Sequence, residues 1–159
     1  MVNLENVHRK QRPGYPSKDV QEEDVREWIS EIRDEGVESL VVFLSEKELN
    51  EYYDDLLGMY EEEFGEGNVL HAPIEDFSLC DPQLLHDEII PFMRESVEGE
   101  EEVAAHCSAG VGRTGQVLFA WLVNEREMEK RKAMQTVREI GCNPTEAVGE
   151  KELLDAVRS

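Results

Sequence analysis

The sequence runs to 159 residues, 37 acidic and 16 basic, for a formal net charge of -21. That length suits a single domain, 1–159, with a core of ordinary size, and the charge argues against a nucleic-acid-binding surface. The acids are spread along the whole chain, which excludes a disordered acidic tail, and no apolar run reaches about eighteen residues, so no membrane-spanning helix is expected. The three cysteines, Cys80, Cys107 and Cys142, stand at no metal-binding spacing, which suits a reducing compartment. Residues 1–12 lack an apolar signal core, so a cytoplasmic location is the expectation. Acidity this dense also fits a halophilic cytosol, where carboxylates stay hydrated and salt screens their repulsion. A solvated acidic surface without further meaning is the plainer alternative.

Residues 1–17 carry little readable pattern, apart from turn chemistry at Arg12-Pro13-Gly14-Tyr15-Pro16, which reads as a surface loop. Asp19 and Glu22 have the spacing of a capping box. Val25, Trp28, Ile29 and Ile32 follow at helical spacing, and Gly36 ends the element. The continuous apolar run 39–44 predicts a buried parallel strand. Ser45 and Glu48 repeat the capping-box spacing, and Leu49, Tyr52, Leu56, Tyr60 and Phe64 predict a second helix that Gly65 and Gly67 stop. Its tyrosines read as core rather than as a substrate platform. Another strand is expected over 69–74, then a loop with Glu75, Asp76 and Asp81. Asp81 before Pro82 predicts a helix start. That helix runs through Leu85, Ile89, Phe92 and Met93, with a kink at Pro91.

The next stretch, 102–115, organises the rest. Val103, Ala104 and Ala105 form a short buried strand that ends in His106 and Cys107; Ser108, Ala109, Gly110, Val111 and Gly112 are uncharged; Arg113, Thr114 and Gly115 open an apolar helix. Successive N–H groups in such a loop make an anion cradle. The helix N-terminus adds unpaired donors and partial positive charge. Gly110 and Gly112 are expected to let the backbone take positive φ and come close to a ligand, and Arg113 supplies a planar fork for two phosphate oxygens. The positive field favours the thiolate of Cys107, the nucleophilic form. The set suits covalent phosphoryl transfer through a cysteinyl phosphate. The Thr114 hydroxyl, turned toward the sulfur, would stabilise the departing thiolate. A buried helix through Val117, Leu118, Trp121 and Leu122 follows, then one through Ala133, Met134 and Val137, and a closing helix over 147–157. Strands alternating with helices predict an α/β fold: a central, mainly parallel sheet flanked by helices, with the phosphate-binding loop between the last core strand and a buried helix.

His106-Cys107-x-x-Gly110-x-x-Arg113-Thr114-Gly115 fixes six positions at fixed spacing. On these residues the sequence resembles the cysteine-dependent protein tyrosine phosphatase superfamily, in its single-domain dual-specificity form. The resemblance implies a phosphatase acting on phosphotyrosine, and on phosphoserine or phosphothreonine, in phosphorylated proteins or peptides. It implies no metal or organic cofactor; the acidic charge and the lack of a long apolar run argue against nucleic-acid and membrane partners, and a monomer is the working expectation. Asp76, 31 residues before Cys107, matches the position of the family's general acid. Glu75 stands where the family often has proline and is the alternative acid. His106 is either an orienting group for the nucleophile or an ordinary core histidine. Cys80 is either a disulfide partner that protects Cys107 from over-oxidation or an inert loop thiol. Many relatives position the hydrolytic water with a glutamine near the final helix, and 143–152 contains none. Removal of phosphate from RNA 5′ ends or inositol lipids is a second reading, but those branches carry lysines in or beside the cradle and Ser108, Ala109 and Val111 are uncharged. A catalytically dead phosphopeptide-binding module is the third, although it would be expected to lack Cys107, Arg113 or the acid.

Overall fold

The computed structural model describes residues 4–158, so the expected domain 1–159 extends past the described residues at both ends. The elements in chain order are β1 (Val7–Lys10), α1 (Glu22–Asp34), β2 (Val37–Val42), α2 (Glu46–Tyr52), α3 (Leu56–Phe64), β3 (Val69–His71), α4 (Pro82–Leu84), α5 (Ile90–Glu98), β4 (Glu102–His106), α6 (Arg113–Glu125), α7 (Lys130–Glu139) and α8 (Glu150–Arg158). The four strands form one parallel sheet in the order β1-β4-β2-β3.

The sheet divides the core. Side chains alternate across a strand, so Leu40, Val42 and Ala104 face the α1 and α3 residues Ile29, Ile32, Tyr60 and Phe64. Val41, Phe43, Val103 and Ala105 face the opposite layer, where Ile89, Met93, Leu118, Trp121 and Leu153 pack. β4 lies between two neighbours, and its Val103, Ala104 and Ala105 are fully buried. The α/β expectation holds, and the 107–112 loop leaves the carboxyl end of this central strand.

Four details differ from the sequence expectation. Residues 7–10, in a stretch without a readable pattern, form an edge strand. Val-His-Arg-Lys has one apolar residue and no readable period, and its pairing with β4 comes from backbone hydrogen bonds. The charged edge also guards against pairing with another chain. The α1 capping box uses Gln21 and Asp24, not Asp19 and Glu22. The expected second helix is two helices, α2 and α3. The chain turns extended at Tyr53, whose hydroxyl donates to Pro13 O at 2.6 Å, and Asp55 caps a fresh start by accepting from Gly58 N–H at 3.1 Å. The bend expected at Pro91 takes the form of a π-helical turn, Leu85–Ile89, between α4 and α5. Proline has no N–H to return to the preceding turn, and a wider turn accommodates that loss. Asp81 caps α4 as expected, accepting from Gln83 N–H at 2.9 Å.

Candidate active site

The loop after β4 is held from outside. Arg12 N–H donates to Ser108 O at 2.9 Å, and Asn143 N–H to Val111 O at 2.9 Å. Arg9 reaches under the loop from β1, with Nε to Gly110 O at 2.7 Å and Nη2 to Ala109 O at 3.4 Å. In a planar trans peptide the N–H points opposite to the preceding C=O. Carbonyls held outward at 108–111 therefore turn the N–H groups of 109–112 inward, as an anion cradle requires. Gly110 is needed at its place: its φ is +75°, and a Cβ there would stand 2.6 Å from the Lys10 carbonyl oxygen. Gly112, expected at positive φ with it, is right-handed at φ -84° because it already leads into the first turn of the following helix. Arg12 is 2% exposed, donates to Ser108 Oγ at 2.9 Å and stacks 4.3 Å from the Tyr52 ring centroid. Tyr60 is fully buried, so the α2–α3 tyrosines serve packing and support.

Arg113 opens α6 and is 3% exposed. Its Nη1 donates to Glu48 Oε1 at 2.6 Å and to Ile74 O at 2.9 Å, and Nη2 donates to Glu48 Oε2 at 2.9 Å. The Glu48 carboxylate thus takes the end of the guanidinium and leaves its Nε–Nη2 edge for two oxygens of a ligand. Glu48 is itself fixed by the α2 capping box: Ser45 N–H and Oγ–H donate to its Oε1 at 2.9 and 3.0 Å. Burial pushes the Glu48 carboxyl up, but its bonds to Arg113 and Ser45 outweigh this and hold it below the usual range. Burial likewise pulls the Arg113 guanidinium down, and Glu48, Cys107 and Asp76 together leave it above its ordinary value.

Cys107 is 3% exposed and lies on a cavity of about 360 Å³ with Asp76, Arg113, Ser108, Ala109, Val111 and Gly112, while Gly110 is not part of its wall. Asp76 Oδ1 stands 3.4 Å from Arg113 Nη2, and Glu75 is not part of the cavity wall. Tyr15 and Phe77, the exposed large apolar side chains among the described residues, stand at the rim. Thr114 is fully buried, and its Oγ1 has no hydrogen-bond partner among the described residues. Among the described residues no His, Cys, Asp and Glu cluster could hold a metal ion.

The family model Tc-R-P, described as "Polymorphic toxin system, DSP-PTPase phosphatase", matches residues 17–127. The chain belongs to this DSP-PTPase family. It is 30% identical to the crystal structure of Tk-PTP in the active form, with a TM-score of 0.66 over 84% of this chain and 83% of that one. Kinase associated phosphatase, solved with its catalytic-site cysteine replaced by serine, shares the fold at 21% identity, with a TM-score of 0.72 over 92% of this chain and 80% of that one. The dual specificity protein phosphatase OPG106 of vaccinia virus (strain Western Reserve) is 30% identical over 60 residues, 38% of this chain and 35% of that protein. The match spans about a third of the length of these curated relatives.

In this DSP-PTPase chain His106 is fully buried. Its Nδ1 lies 2.9 Å from Cys107 O and its Nε2 2.9 Å from Tyr60 Oη. A carbonyl only accepts, so Nδ1 carries the proton and Nε2 accepts from the tyrosine hydroxyl. Burial lowers the imidazole from 6.5 to about 4. The unfolded chain therefore binds a proton that the native one refuses, and this group alone should lower stability by roughly 3 kcal/mol as pH drops from about 6.5 toward about 4. Urea titrations from pH 7 to 4.5 on the wild type and His106→Gln check this. The variant should show a shallower decline, because relief of carboxylate repulsion is common to both. Parallel curves would exclude a buried neutral histidine. Cys80 and Cys142 are free and buried, and burial pushes their thiols up to about 12 and about 11. For Cys80 this environment fits an inert thiol.

Glu48 and Gln116 join the site without a sequence motif that marks them as part of it. Glu48 is visible in the sequence as the last member of a capping box, but its bond to Arg113 spans 65 residues. Gln116 lines the cavity and is 5% exposed. Its signal is a lone amide in an otherwise apolar helix turn.

Proposed function

We propose that this chain is a phosphoprotein phosphatase that hydrolyses phosphotyrosine, and phosphoserine or phosphothreonine, through a cysteinyl-phosphate intermediate. The observation that carries the reading is the shared cavity of Cys107 and the open edge of Arg113, ringed by inward N–H groups. The N–H groups of 109–112 and the Arg113 edge hold the phosphate oxygens, and the Cys107 thiolate attacks phosphorus. The bond to the ester oxygen breaks, and that oxygen leaves with the Asp76 proton. Water then attacks the thiophosphate, giving its proton to Asp76, and the sulfur leaves as thiolate with the Thr114 hydroxyl turned toward it. The step needs no metal or organic cofactor. Glu48 keeps the guanidinium in plane, and Tyr15 and Phe77 offer apolar faces to an aromatic leaving group.

Asp76→Asn tests the acid. Turnover of phenyl phosphate should fall roughly a hundredfold, the usual scale for a general acid, with a smaller loss for a leaving group that departs without a proton. Loss in Glu75→Gln instead would move the role to Glu75. The phosphate donors are phosphorylated proteins or peptides rather than nucleic acid or lipid, because a surface of charge -21 repels polyanions. A monomer in a cytoplasm of high salt fits that surface, since the screening length shrinks from about 10 Å at 0.1 M to about 3 Å at 1 M.

A further inference from the structure

Gln116 sits one helical turn after Arg113, on the same face of α6. Both ends of its amide are committed to the segment that carries Asp76. Cys80 N–H donates to Gln116 Oε1 at 2.8 Å, and Gln116 Nε2 donates to Ser78 O at 2.9 Å. Arg113 holds the other end of the same segment, donating to Ile74 O at 2.9 Å and standing 3.4 Å from Asp76 Oδ1. Residues 74–80 are thus tied at their start and at their finish by two side chains of the helix that the cradle runs into.

Between the ties the loop is strained. Ser78 N–H bonds Glu75 O at 3.1 Å, closing a turn with Asp76 and Phe77 at its centre. Phe77 has φ +59°, a conformation that favours glycine at the third turn position. A side chain persists there only where the surroundings over-determine it. Phe77 is 66% exposed, so its own packing does not supply that force, and the ties at 74 and at 78–80 do.

We propose that Gln116 is a positioning residue for the general acid, holding the 74–80 loop so that Asp76 stays at the cradle. This rests on the assignment of Asp76 under the proposed function. The role requires an amide. A carboxylate would still accept from Cys80 N–H but would face the Ser78 carbonyl with a second acceptor, and a thioether of similar length would make neither bond.

The test compares kcat/KM for phenyl phosphate, whose leaving group needs a proton, with that for 2,4-dinitrophenyl phosphate, whose leaving group does not. In Gln116→Met and Gln116→Glu the loss on phenyl phosphate should exceed the loss on the dinitrophenyl ester by about tenfold. Tungstate binding should be retained. Adding Gln116→Met to Asp76→Asn should cost little more, because a latch has nothing left to position. Equal losses on the two esters, or fully additive losses in the double variant, would make Gln116 a structural residue only and overturn the proposal while leaving Asp76 in place. An Asp76→Asn variant that spares phenyl phosphate would instead overturn the acid assignment itself, and the latch with it.

Discussion

Cys107→Ser should reduce turnover of a phosphotyrosine peptide by roughly a thousandfold or more while leaving the cradle able to bind an oxyanion. The substitution exchanges a sulfur nucleophile for a hydroxyl that is not ionised at neutral pH. It leaves the binding groups untouched, because the N–H groups of 109–112 are set by outward carbonyl bonds to Arg9, Arg12 and Asn143. Arg113 is set by Glu48 and Ile74. Kinetics with the peptide and a tungstate titration by calorimetry measure the two halves separately. A variant that keeps a tenth of the wild-type rate would contradict the nucleophile assignment.

Arg113→Lys should lower kcat/KM by about a hundredfold although the charge is kept. The guanidinium engages Glu48 with one edge and Ile74 with a further N–H, and in the proposed mechanism its remaining edge holds the phosphate. An ammonium is a point charge with three donors and cannot span all of these. Arg113 is 3% exposed, so water does not replace its lost bonds to Glu48 and Ile74. The variant should also lose stability on the order of 1–3 kcal/mol from carbonyl and carboxylate groups left short of donors. Steady-state kinetics with urea unfolding of the same sample check both numbers. A kcat/KM within about threefold of wild type would show that Arg113 is not a phosphate clamp.

The nucleophile loop is legible in the sequence because its demands are local. A buried strand, a run of small uncharged residues with a glycine at positive φ, and an arginine at a helix start must follow one another in a fixed order, and 102–115 shows that order. β2 is legible as a continuous apolar run, since a strand covered on both faces has no polar side to alternate. What escapes depends on distant partners. β1 has one apolar residue and is made a strand by β4. The break between α2 and α3 has a local signal in Asp55, which competes as a cap, but the helical spacing of apolar residues runs straight through it. Glu48 shows its capping role locally and hides its bond to Arg113. Gln116 reads as one polar residue in a buried helix, because its partners Ser78 and Cys80 lie more than thirty residues earlier.

The central claim is covalent catalysis at Cys107, and rapid-quench labelling tests it most directly. The enzyme is mixed with a phosphotyrosine peptide carrying radioactive phosphate, quenched in the first turnover and digested. The account predicts transient label on the peptide that contains Cys107, rising and falling with phosphate release and absent from Cys107→Ser. Phosphate released in the first turnover with no label on protein, or with label on another residue, would contradict it.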